Sequence, residues 1–145
     1  LGLRLGGTAA LRTVLTEPGA LRACAIIGTP VHQMFTDRDL VASLSPMVRD
    51  QLASRLHADV VQMGSLREHL QPLSLVGQGL LGRRRGNLPL LIIAAEDDPL
   101  TSRDELKRSQ MASQQVRVSL LPGQLSGRLE QAMITARDFL LQQLS

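Results

Sequence analysis

The residues of this chain with the clearest chemical potential sit in two short turns. Gly2-Leu3-Arg4-Leu5-Gly6-Gly7 sets an arginine among glycines ahead of a helix-like segment. Gly2 and Gly6 permit a tight turn there, and Gly7 allows close helix packing. A guanidinium stays protonated at physiological pH, so Arg4 cannot attack a carbonyl. It can clamp a carboxylate or phosphate, assisted by the adjacent helix N-terminus. It can equally pair with a local carboxylate, and Glu96-Asp97-Asp98-Pro99 supplies two candidates at the end of an apolar run. Asp98, directly before Pro99, is the first choice for a site acid, with Asp97 beside it as a binding residue. Either aspartate can instead cap the turn that Pro99 continues.

The remaining candidates are few. Of three histidines, His32 lies just past an apolar run ending at Ile27. Neighbouring strand ends in a parallel sheet would bring it near Arg4, although a loop imidazole bonded to backbone is the plainer reading. Thr29, three residues before it, can donate or accept in a pocket or hold the loop together. His57 and His69 fall on helix-like segments, read as solvated, and their spacing gives no metal motif. No metal and no cofactor is expected. Ser102 and Ser126 read as helix caps rather than nucleophiles. Cys24 lies inside an apolar run, where its thiol would be buried and inert.

Short apolar runs separated by helical patterns indicate β/α units and a parallel sheet. Leu21–Ile27 reads as a buried strand ending at Gly28, and Leu88–Ala95 as a central strand. Val116, Val118 and Leu120 alternate with Arg117 and Ser119, as in a half-exposed strand nearer a sheet edge. Helices are predicted over Gly7–Thr16, over Arg103–Ala112 behind the capping box at Ser102, and after Ser126-Gly127. Leu129, Met133, Ala136, Leu140 and Leu144 share one face of the last of these. Between the first two strands, residues 31–87 form a long helical insert. Ser45-Pro46 and Ser65-Leu66-Arg67-Glu68 mark helix starts in it, and it ends in a basic loop around Arg83-Arg84-Arg85. An insert of this length at a strand's carboxyl end has the character of a lid.

The bulk properties exclude several functions. A net charge of +3 and only two aromatic residues, Phe35 and Phe139, give little for nucleic acid to bind or stack on. No apolar run approaches the roughly 20 residues of a membrane span. One cysteine cannot form an internal disulfide, which fits a reducing, cytoplasmic setting. The chain begins at Leu1 on a turn-like sequence, and the reading is of the C-terminal part of a longer domain. The upstream half would supply the strands that a narrow sheet lacks.

With those residues in view, a family resemblance emerges. The Gly2–Gly7 turn looks like the strand-to-helix elbow of α/β-hydrolases. Gly-x-Arg-x-Gly at that place resembles the FrsA family of fermentation–respiration switch proteins. Leu21–His32, Leu52-Ala53-Ser54-Arg55-Leu56, Leu73–Leu81 and Glu96-Asp97-Asp98-Pro99 are similar to successive segments of that family. The resemblance covers nearly all of residues 1–145. It implies the C-terminal portion of one α/β-hydrolase domain, with parallel strands, flanking helices and the insert at about 31–87.

It also implies a carboxylic-ester hydrolase, with Arg4 where a working esterase carries its serine. Asp98 and His32 would be the accompanying site residues, and Thr29 and Asp97 would bind substrate. No histidine occurs in Leu121–Gly127, where a triad histidine belongs. The implied partners are a small ester or anionic ligand and, through the family's link to sugar uptake, the glucose-specific IIA component of the phosphotransferase system. Nucleic acid and membrane are not implied. Two functions therefore stand side by side: an esterase-like hydrolase, or an inactive hydrolase-fold module that binds a small anion or a regulatory protein.

Overall fold

A computed structural model describes residues 1–57, 63–82 and 86–145. Four parallel strands lie in chain order: β1 (Gly2–Leu3), β2 (Cys24–Ile27), β3 (Gly86–Ala95) and β4 (Ser113–Leu121). β2 and the Leu90–Ala95 half of β3 are buried throughout, which is why both read as unbroken apolar runs. Burial also pushes the Cys24 thiol up from its ordinary value, in keeping with an inert side chain.

Helices cover both faces. α1 (Leu5–Thr16) and α6 (Arg103–Gln110) pack on one, where Leu11, Val14, Cys24, Ile26, Leu90, Ile92 and Ala112 form a core with Leu106 against it. α7 (Leu129–Leu144) covers the other through Ala132, Ala136 and Phe139, against Ala25, Ile27, Leu91, Ile93 and Leu121. The buried stripe of α7 is therefore turned from the predicted one. Ala136 belongs to both and Leu140, also on the predicted face, packs against this core, but Leu129 and Met133 are each 39% exposed and Leu144 is 61% exposed. The small side chains of Ala132 and Ala136 suit close approach to the sheet, and Phe139 fills the space beyond them. Ser126 does not cap this helix: it lies in the short 3-10 turn Leu125–Arg128, and no side chain caps α7.

β4 is an edge strand of this sheet, and its alternation misleads. Val116 packs into the α1–α6 core, but Val118 and Leu120 on the same side are exposed. An eight-residue helix is about 12 Å long and a nine-residue strand about 30 Å, so α6 cannot cover β4 end to end.

The insert contributes α2 (Gln33–Thr36), α3 (Arg38–Ser43), α4 (Pro46–Arg55) and α5 (Met63–Leu70). Met34, Phe35, Val41, Leu52, Ala53, Leu66 and Leu70 give it a core of its own. Leu5, the first residue of α1, and Leu100, from the turn after β3, pack against that core and place the insert over the carboxyl end of the sheet. Ser45 caps α4 by accepting from the Val48 amide. Ser65, read from sequence as a cap, lies inside α5. The Arg83-Arg84-Arg85 loop falls outside the described residues.

Candidate site at the elbow

The turn after β1 holds Arg4 at φ 53° and ψ −121°, a left-handed conformation that a non-glycine residue adopts only under constraint. Three backbone bonds impose it. The Arg4 amide donates to the Ile27 carbonyl at 2.9 Å, and the Arg4 carbonyl accepts from the Gly7 and Thr8 amides at 3.0 and 3.3 Å. Two of the glycines are required by space. A Cβ on Gly2 would lie 2.5 Å from the Gly7 Cα and 2.6 Å from the Gly6 carbonyl, and one on Gly7 would overlap the Thr29 side chain. Gly6, expected to share in the turn, has open space where a Cβ would go.

From that turn the Arg4 side chain reaches the end of β3. Its Nη1 donates to Asp98 Oδ2 at 2.6 Å and to the Gly28 carbonyl at 3.3 Å. Asp98 is 5% exposed and takes two further bonds: Thr101 Oγ1 donates to Oδ2 at 2.7 Å, and the Leu100 amide donates to Oδ1 at 3.2 Å. Hydrogen bonds of this kind offset the cost of burying a carboxylate. The pairing with a local carboxylate, one of the two readings open for Arg4, is thus present in the structure.

Gly28 is the floor of this pair, and sequence reasoning passed over it. It sits at φ +53°, and a Cβ there would meet Leu125 Cδ2, Arg4 Nη1 at 3.0 Å and Asp98 Oδ2 at 3.2 Å. The loop after β4, where a triad histidine would approach the elbow, sends Leu125 to this point instead. Leu125 is 4% exposed and belongs to the core under α7, so the loop brings an apolar side chain beside Gly28.

The other predicted residues lie apart from the pair. Thr29 is buried against Gly7, and its hydroxyl faces the Ile27 carbonyl at 3.5 Å, so it packs α1 onto the sheet. Asp97 is exposed, and its amide donates to the Gly123 carbonyl in the loop after β4. His32 shares its Nδ1 with Ser74 Oγ at 2.8 Å, and Ser74 Oγ also accepts from the Gly77 amide. Among the described residues no hydrogen bond joins His32 to Arg4 or Asp98. The expected three-residue constellation is therefore a pair plus a histidine tied to the insert.

Sequence reasoning also missed Glu105, which is 1% exposed. Oε2 accepts from the Val31 and His32 amides at 2.7 and 2.9 Å, and Oε1 accepts from the Gln33 amide at 3.1 Å and from Arg108 Nη1 at 2.8 Å. Ser102 performs its half of the capping box by accepting from the Glu105 amide, while the glutamate side chain turns away to α2. No group of acids, histidines or cysteine among the described residues could hold a metal, and no helix among them is long and apolar enough to cross a membrane. A groove of about 750 Å³ opens at the opposite, amino end of β2 and β3, between Val14–Gly19 and Gly86–Pro89, and shares no residue with the Arg4–Asp98 pair.

Comparison with known proteins fits this architecture. The family model for FrsA-like esterases, described as "Esterase FrsA-like", matches residues 1–145. Esterase FrsA of Photobacterium profundum is 34% identical over 146 residues, covering all of this chain and 35% of that protein. The chain thus spans about a third of the length of that relative. Among solved structures, AbyA5 superposes with a TM-score of 0.78 at 21% identity, covering 97% of this chain and 41% of its own. MGS-M2, an α/β-hydrolase enzyme from a deep-sea metagenome library, gives 0.52 at 15% identity, covering 83% of this chain and 55% of its own. Likeness at those identities is one of fold, and the fold is that of the α/β-hydrolases. Elbow, parallel sheet and family match together place this chain in the FrsA-like esterase family.

Proposed function

We propose that this chain is an esterase-family module whose elbow binds rather than attacks. The observation that carries this reading is the 2.6 Å contact between Arg4 Nη1 and Asp98 Oδ2. In a serine hydrolase the elbow residue supplies the nucleophile, and the acid after a later strand orients a histidine. Here the residues at those two places engage each other, and the loop after β4 brings Leu125, not a histidine, beside Gly28. Among the described residues the elbow thus has no group to attack, no base to activate one and no acid free to orient that base.

The esterase reading keeps one foothold. The Arg4 side chain is 37% exposed, and its bonds among the described residues all leave from Nη1. The rest of the guanidinium faces outward and can meet the carboxylate or phosphate of a ligand. In that reading Arg4 holds substrate charge while water, or a residue outside this chain, attacks the ester.

The deciding measurement is hydrolysis of a panel of nitrophenyl esters by the full-length protein and by its Arg4→Ala and Arg4→Ser variants. The expected result is turnover at the buffer rate in all three, since a serine at the elbow still has no histidine beside it. Turnover by the parent that Arg4→Ala abolishes would overturn the binding-only reading and make Arg4 a substrate clamp. Turnover that survives Arg4→Ala would move the chemistry away from the elbow altogether.

A further inference from the structure

We propose that Glu105 is a latch that fixes the stem of the helical insert, so that the insert is a roof over the elbow and not a lid hinged there. The chain enters the insert through residues 29–33 and returns through residues 74–81. On the entering side, the three successive amides of Val31, His32 and Gln33 all donate to the buried Glu105 carboxylate. α2 has no side-chain cap of its own, and Glu105 supplies one from α6, more than 70 residues away in sequence.

On the returning side, the Leu75 amide donates to the Val31 carbonyl at 2.9 Å, and Ser74 holds the His32 ring. Both stems are therefore tied to each other, and through Glu105 to the sheet's own helix layer. Swinging the insert about residues 31–33 would strip a buried carboxylate of three donors at once. Any opening must then take place beyond Gln33, within the insert's own core. The segment held by the latch follows Gly28, whose carbonyl receives Arg4. This inference does not depend on what the elbow binds.

Hydrogen exchange on the full-length protein tests the latch. In Glu105→Gln the carboxamide nitrogen faces amides that need an acceptor. Peptides covering residues 30–34 and 74–76 should exchange at least about tenfold faster, while peptides from β3 around Ile92 and Ile93 keep their parent rates. Unchanged exchange at residues 30–34 in a folded variant would overturn the proposal. If Glu105→Gln does not fold, the parent carries the test under a denaturant series. The latched amides should then open together with β3 in the global transition. Opening of residues 31–33 with α3 and α4, at lower denaturant than β3, would overturn it.

Discussion

Asp98 and Glu105 are two buried carboxylates seven residues apart, and the chain satisfies them in different ways. Glu105 takes three of its four bonds from backbone amides, which only a substitution by proline would remove. Asp98 takes one bond from an amide, one from a hydroxyl and one from a guanidinium whose side chain is 37% exposed. A carboxylate held by backbone belongs to the frame. One held by a half-exposed arginine depends on a partner that a ligand anion can compete for. The elbow is therefore the part of this site open to exchange, and the insert's stem is the fixed part.

If that contrast is correct, the two ends of the site should differ in the cost of truncation. Glu105→Ala leaves three buried or part-buried amides and Arg108 without their acceptor, and the expected destabilisation is about 3–5 kcal/mol, read from denaturant melts. Arg4→Ala removes one partner of Asp98 but leaves the Thr101 and Leu100 bonds, and water can approach through the space left. Its expected cost is about 1–3 kcal/mol. Arg4→Ala as damaging as Glu105→Ala would erase the distinction, because the elbow pair would then belong to the frame as well.

The same contrast explains what the sequence could and could not disclose. Ile92 and Ile93 lie in a run buried on both faces, and Gly2 and Gly7 leave a turn signature, so the sheet and elbow are legible locally. Asp98 was readable as the inward acid because it follows the strand and precedes Pro99. Glu105 satisfied a local pattern, the capping box with Ser102, and that pattern hid a long-range role. Nothing near residue 105 signals that its carboxylate meets amides at 31–33. Gly28 and Leu125 escaped notice for a related reason: three loops distant in sequence must converge before either has a function. The buried face of α7 was misjudged because apolar size, as in Leu129 and Leu144, outweighed the close approach that Ala132 and Ala136 permit.

The smallest expected effect gives the finest test of the contrast. Among the described residues Arg108 is the one cation on Glu105, an i,i+3 neighbour on the same helix, with its side chain 31% exposed. Pairs of that kind contribute about 0.2–1 kcal/mol, because solvent screens the charge and the long side chain loses freedom in making the bond. Arg108→Ala should therefore lower stability by less than about 1 kcal/mol and leave the exchange of the Val31, His32 and Gln33 amides unchanged. A loss of several kcal/mol would mean that Glu105, like Asp98, is held chiefly by its cation. A small loss with intact amide protection assigns the latch to the backbone, and leaves Arg4 as the cation on which a buried acid of this site depends.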